Sequence, residues 1–297
     1  MARIPAAEVH IDTALLHRLL TDQHPDLAAA DLTVAAHGWD NVLIRIGPHL
    51  AARLPRRAAA AALIPHEQRI LPRLAAHLPV QIPVPLRHGR PTSYYPWPWS
   101  VVPWLPGRHA GDLPARERDR FAPQLAAFLS ALHTPADQDA PANPVRGVPL
   151  ADRTEAYLSR MSPKAFPGAT ALRAVFERHA AAEAHSGPAV WLHGDLHPLN
   201  LLTDAGRLGA VVDFGDVTSG DPATDLATAW LTFTAAGRAA FRRSYTAPLP
   251  EATWSRARAW AAGLSATLLS HSDDHPTLAA IGRHGLSELV DAADAAG

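Results

Sequence analysis

The sequence predicts an α+β chain in two parts, a small antiparallel sheet first and a mainly helical region after it. Three observations carry this. Residues 32–54 read as three short strands joined by two turns. Residues 79–107 are dense in proline, as a connection between folded parts would be. Beyond them apolar residues recur at helical spacing, until short apolar runs alternate with polar residues over 190–216.

A helix is expected over 8–22, with Val9, Ile11, Leu15, Leu16, Leu19 and Leu20 as its stripe and Asp12 or Thr13 as its cap. Strands follow at 32–36, 41–46 and 49–54. The first turn, 37–41, is polar with one glycine, Gly38. It suits a cover over nucleotide phosphates or an ordinary hairpin. Arg53, Arg56 and Arg57 close the third strand, either as a solvated basic patch or as a cation for phosphate. A helix over 58–78 carries Glu67, read as an exposed acid or as the ion-pair partner of Arg53 or Arg56. Pro65 marks a segment start there, and Pro72 is expected to kink or break the helix.

In the proline-dense stretch, strands are expected at 83–87 and 99–102 with a turn at 88–90. Residues 103–107 then form the linker that divides an N-terminal nucleotide-binding part, 1–103, from a C-terminal catalytic and substrate-binding part, 104–297. A cofactor's flat ring fits against backbone and apolar groups here, with Val102 and Trp104 as the named residues. Tyr94, Tyr95, Trp97 and Trp99 read as packing.

Phe121, Leu125, Phe128, Leu129 and Leu132 form a helical stripe that His133 ends. Residues 141–149 read as loop, and 155–161 and 169–183 as helices. After 216 the link is short. Asp221 then caps a helix that has Pro222 at its first position and runs through 223–236. Further helices are expected at 251–269 and 287–296.

Within 190–216, Asp195, Asn200 and Asp213 stand between apolar runs. Strand, loop, strand, a turn at Asp204-Ala205-Gly206, and strand would let two carboxylates and a carboxamide converge. Such hard oxygen ligands suit magnesium and phosphate, with a base beside them. Composition narrows the field further. The chain has 297 residues and no cysteine, which excludes disulfides, zinc–thiolate sites and cysteine nucleophiles. A net charge of −1 gives no case for nucleic acid or an anionic membrane. The N-terminus lacks the apolar core of a signal peptide and no run spans a bilayer, so a cytoplasmic protein is expected. His193 and His197 lie four apart, but Gly194 and Pro198 oppose the helix that zinc binding would need. No G-x-S-x-G occurs.

Together these residues resemble the aminoglycoside phosphotransferase family, which has the bilobal protein-kinase-like fold. His193-Gly194-Asp195-Leu196-His197-Pro198-Leu199-Asn200 is similar to its catalytic loop, and Asp213-Phe214-Gly215-Asp216 to its metal-binding segment. The resemblance implies transfer of the γ-phosphoryl group of ATP or GTP to a hydroxyl of a small molecule. It makes Asp195 the catalytic base and makes Asn200 and Asp213 the Mg2+ ligands. His193 becomes structural, its ring bonded to backbone near Asp213. Asp225 either pins the catalytic loop or is a first-turn acid. Asp216 reads as a surface acid or as a third acid at the metal.

The chain departs from protein kinases in carrying Gly194 where they carry arginine and in lacking A-P-E. It has no length for an activation segment, so a small acceptor fits better than a protein. Its one lysine, Lys164, is not in the third strand, so Arg53 or Arg56 takes the phosphate charge. The implied acceptor is an antibiotic of aminoglycoside or macrolide type. The alternatives are a metabolic acceptor such as an amino alcohol or sugar, or a catalytically inactive binding protein. For the acceptor's surroundings the sequence offers Glu251, Asp273, Asp274 and Glu288, and the aromatics Trp230, Phe233, Tyr245, Trp254 and Trp260, which read more readily as core. A monomer or weak dimer is expected.

Overall fold

The structure is a computed structural model that describes residues 6–272 and 275–294, the side chains of 291–294 excepted. Asp273 and Asp274, offered above as acidic acceptor-site residues, lie outside the described residues, as does the end of the helix expected to 296. The chain divides into two compact units. One runs to His77 and takes in Gln81–Pro106, and the other takes in Leu78–Val80 and runs on from Gly107.

The first unit is built on a five-stranded sheet. Helix α1, Thr13–Gln23, precedes β1, Leu32–His37; β2, Asn41–Ile46; and β3, Leu50–Pro55. After α2, Ala58–Ala61, and α3, Ile64–Ala75, come β4, Arg87–Gly89, and β5, Trp99–Pro103. The strand order is β1-β2-β3-β5-β4 and all pairs are antiparallel. Period-2 alternation on β2 sends Val42, Ile44 and Ile46 to one face, where they join Leu16, Leu19 and Leu20 of α1 and the rings of Tyr95 and Trp99. That face is the core, and it settles Tyr95 and Trp99 as packing residues.

Local chemistry sets the element ends. Asp12 Oδ1 accepts the Leu15 N–H at 2.8 Å, so α1 starts at Thr13 rather than at residue 8. The helix expected over 58–78 is two: α2 stops at Ala61, and α3 begins with Pro65 in its first turn. Pro72 lies inside α3, which continues to Ala75 without the N–H that Pro72 lacks. The strand expected at 83–87 starts at Arg87 instead. Pro83 and Pro85 have no N–H to donate to a ladder, and His88 and Gly89, read as a turn, pair with Ser100 and Trp99.

The second unit is mainly helical. It opens with β6, Arg108–His109; α4, Ala115–Arg118; α5, Ala122–Leu132; α6, Thr154–Arg160; and α7, Ala169–Ala180. Next come β7, Val190–Leu192; β8, Leu201–Asp204; β9, Arg207–Val211; and β10, Thr218–Gly220. The chain then runs through α8, Ala223–Leu226; α9, Thr228–Thr232; α10, Ala235–Ser244; α11, Glu251–His271; and α12, Pro276–Asp294. Strands pair in the orders β6-β8-β9 and β10-β7.

The single helix expected over 223–236 is thus three short ones, and α12 starts 11 residues before the expected 287. Trp260, Phe233 and Phe241 are fully buried and Trp230, Tyr245 and Trp254 nearly so, which makes this aromatic set core rather than pocket lining. No helix among the described residues is long and apolar enough to cross a membrane.

Candidate active site

The loop between β7 and β8 is shaped by what it must avoid and by what holds it. Gly194 has φ +88°, and a Cβ there would lie 2.3 Å from the Asp216 carbonyl oxygen, which explains glycine at this position. The His193 ring spans the loop. Its Nδ1 lies 3.2 Å from the Asp195 N–H and its Nε2 lies 2.9 Å from the Val212 carbonyl oxygen. Both bonds form together when Nε2 carries the proton. Phe214 stacks against the same ring at 4.5 Å between centroids.

Asp225 supports the loop from α8. It is buried, and its carboxylate accepts the N–H groups of His193 at 2.7 Å and Gly194 at 2.9 Å. His133 Nε2 meets the same carboxylate at 3.3 Å, and His133 Nδ1 meets the Tyr245 hydroxyl at 2.9 Å. Burial alone would raise the Asp225 pKa. The His133 hydrogen bond and charge, with His193 and the Gly194 N–H, outweigh it and hold the carboxyl below the usual range. His133 therefore does more than end α5, a role its sequence position did not reveal.

Asp195 projects from this mount. Asn200 Nδ2 donates to the Asp195 carbonyl oxygen at 2.8 Å, which fixes the amide and turns Oδ1 the other way. Asp213 follows β9 with φ +63°, in the left-handed region that few residues other than glycine adopt, and its side chain is exposed. The hairpin before it is tight. Ala205 and Gly206 take φ +46° and +77°, as a two-residue turn between β8 and β9 requires.

Two residues met here, Arg146 and Asn143, do not stand out in the sequence, and a third, His197, is weighed there only as a zinc ligand. Arg146, in the loop between α5 and α6, donates from Nη2 to Asp195 Oδ1 at 2.6 Å, and its Nε lies 3.9 Å from Asp216 Oδ2. Asn143 donates to Asp216 Oδ1 at 2.7 Å and accepts the N–H groups of Val145 and Arg146. His197 Nε2 lies 3.4 Å from Asp195 Oδ2. Asp216, read as a surface acid or a third acid at the metal, is half-buried within this cluster.

The two acids respond oppositely. Burial would raise the Asp195 pKa, but the Arg146 guanidinium and then His197 hold it well below the carboxylate range. The Asp216 carboxyl is pushed up by burial and by the Asp195 charge. No signal in the sequence marked Arg146, because it lies 49 residues from Asp195 in a stretch without periodicity.

The predicted nucleotide-contact residues lie in the sheet-rich unit. Arg53 sits on the central strand β3 and donates to Glu67 Oε1 at 2.9 Å, with Glu67 only 2% exposed. Arg56 donates instead to the Gly38 carbonyl oxygen at 2.9 Å, and Arg57 pairs with Asp40. Val102 is buried in β5. Trp104 donates its N–H to the His49 carbonyl oxygen at 2.7 Å, and Arg45 lies over its ring.

Oxygen donors from one carboxylate and one carboxamide suit a magnesium ion that takes its remaining ligands from water and phosphate. No group of three or more His, Cys, Asp or Glu that could hold a metal occurs among the described residues. Asp195 and Asn200 lie before the β8–β9 hairpin and Asp213 after it, with a short link on to α8.

The sequence profile of the Phosphotransferase enzyme family matches residues 31–260, and the chain belongs to that family. It is 32% identical over 239 residues to viomycin phosphotransferase of Streptomyces vinaceus, covering 74% of this chain and 77% of the relative. Among solved structures it superposes on the GDP complex of aminoglycoside 2′-phosphotransferase-IIIa with a TM-score of 0.70 at 18% identity. That match covers 95% of this chain and 100% of the other. It also superposes on macrolide 2′-phosphotransferase MphH from Brachybacterium faecium, with a TM-score of 0.62 at 24% identity over 94% and 97% of the two chains. The fold is the kinase-like one that these phosphotransferases share, and the predicted α+β class holds.

Proposed function

We propose that the protein phosphorylates a hydroxyl of an antibiotic, of the viomycin, aminoglycoside or macrolide type, using ATP or GTP. The observation that carries this is the mount of Asp195. A carboxylate held ionised by its neighbours stands on a loop fixed through His193, Asn200 and Asp225. Asp195 accepts the proton of the acceptor hydroxyl as the oxygen attacks the γ-phosphorus and the nucleoside diphosphate leaves. Asn200 and Asp213 hold Mg2+, which when bound neutralises charge on the nucleotide phosphates. Arg53, backed by Glu67, or Arg56 takes the remaining phosphate charge, with Val102 and Trp104 beside the base. The similarity to viomycin phosphotransferase supports the antibiotic acceptor. The protein acts in the cytoplasm, where the nucleotides are, as a monomer or weak dimer.

A nucleotide-consumption assay with viomycin, kanamycin, a macrolide, and a panel of amino alcohols and sugars tests this. Phosphorylation of one antibiotic, abolished by Asp195→Asn with nucleotide binding retained, is the expected result. Turnover confined to a metabolic alcohol, turnover surviving Asp195→Asn, or nucleotide binding with no consumption on any acceptor each defeats the reading.

A further inference from the structure

The proposed mechanism leaves Arg146 without a role. This arginine comes from the loop between α5 and α6 and reaches Asp195 with one nitrogen, Nη2 to Oδ1 at 2.6 Å. The other carboxylate oxygen, Oδ2, faces His197 Nε2 at the longer distance of 3.4 Å. Oδ1 is therefore the more tightly held of the two oxygens, and Oδ2, with only the longer His197 contact, is the freer to exchange its partner for an incoming hydroxyl.

The loop that presents Arg146 is locked in place. Asn143 Oδ1 accepts the Val145 and Arg146 N–H groups at 2.9 and 3.0 Å, while its Nδ2 donates to Asp216 at 2.7 Å. Thr218 Oγ1 in β10 donates to the Pro141 carbonyl oxygen at 2.7 Å. Gly147, at φ +68°, packs so closely on β10 that a Cβ on Gly220 would lie 1.9 Å from the Gly147 carbonyl oxygen. An arginine on so fixed a support is suited to aiming a neighbour rather than to following a ligand.

We infer that Arg146 is a positioning residue for phosphoryl transfer, holding Asp195 by Oδ1 so that Oδ2 meets the acceptor hydroxyl. The inference rests on the role proposed above for Asp195. It separates Arg146 from a substrate-binding arginine, because its effect belongs to the chemical step and not to affinity. Guanidinium geometry also matters: a lysine at 146 would keep the charge but place it as a point.

The test is steady-state kinetics of Arg146→Ala and Arg146→Lys beside Asp195→Asn. The assay uses ATP or GTP with Mg2+ and whichever of viomycin, kanamycin or a macrolide the wild type phosphorylates, with water as acceptor in parallel. Expected for Arg146→Ala is a kcat lower by about 10- to 100-fold, with both KM values within about threefold. Millimolar guanidinium added to that variant should restore part of the rate, which a merely structural role would not allow. Arg146→Lys should fall between it and the wild type, and it decides alone if Arg146→Ala does not fold.

Wild-type kcat in either variant overturns the inference. So does a raised acceptor KM at unchanged kcat, or a folded Arg146→Ala that guanidinium leaves unrescued. If Asp195→Asn is dead while the Arg146 variants are normal, this inference alone fails. If Asp195→Asn still turns over, the reading beneath it fails.

Discussion

Asp225 Oδ2 accepts the backbone N–H of His193 at 2.7 Å across 32 residues of sequence, so a side chain of α8 sets the path of the loop that carries Asp195. The carboxylate is buried, and its counter-groups are His133 and two peptide N–H donors. Removing it strands both donors and His133 in the interior. Asp225→Ala is expected to lose about 3–5 kcal/mol of stability in urea denaturation. Asp225→Asn keeps one acceptor and should lose less. Equal stability of Asp225→Ala and wild type would show that the loop is held otherwise.

Glu67 is buried against Arg53, and Arg56 is tied to the Gly38 carbonyl oxygen. If Arg53 carries the phosphate charge, Glu67→Gln acts through it and raises nucleotide KM by about tenfold, the size of one weakened charged hydrogen bond. Arg53→Ala should do at least as much. Arg56→Ala would then leave KM within about twofold. The opposite pattern transfers the role to Arg56.

Asp213 holds φ +63°, which asparagine tolerates and a β-branched residue does not. Asp213→Asn should fold with nearly wild-type Tm, lose turnover by about 100-fold or more, and need more Mg2+ for half-maximal rate. Asp213→Val should also lose about 1–3 kcal/mol of stability from backbone strain. Unchanged Mg2+ dependence in Asp213→Asn would remove the residue from the metal site.

His179 on α7 bonds Ser255 Oγ of α11 at 2.8 Å. Burial first, then Arg258 and Arg178, lower its pKa from 6.5 to about 4. The unfolded chain therefore takes up this proton near pH 6.5 and the folded one only near pH 4. Stability is full above that window and falls as the pH drops through it, because the unfolded state binds more protons there. Thermal unfolding across the window should show a decline in Tm that is shallower in His179→Gln. Parallel Tm curves for the two proteins would contradict this.

What the sequence made legible was whatever is local. Asp195, Asn200 and Asp213 sit within one short stretch of strand, loop and hairpin, and β1 to β3 follow from period-2 alternation and two turns. Boundaries failed where proline chemistry is ambiguous. Pro72 is accommodated inside α3, while Pro83 and Pro85 push β4 to Arg87. The helix split between α8, α9 and α10 has no such marker, since alanine and threonine continue through it. Partners distant in sequence were out of reach: Arg146 with Asp195, His133 with Asp225, and Asn143 with Asp216 are joined only by folding. For Glu67, the ion-pair reading and the exposed-acid reading differ only in burial, and burial is set by β3 and α3 together.

The run from Asp213 to α8 is short, and its second half is tied down. Val217 N–H bonds the Phe214 carbonyl oxygen, Thr218 bonds Pro141, Gly220 lies against Gly147, and Asp221 pairs with Arg256 at 2.5 Å. The conformational entropy of this segment is therefore surrendered once, during folding, and not again at each catalytic cycle. The amide protons of Val217, Thr218, Ser219, Gly220, Asp221 and Ala223 should accordingly exchange with solvent as slowly before substrates arrive as after. In this chain, readiness for chemistry is a property of the fold itself.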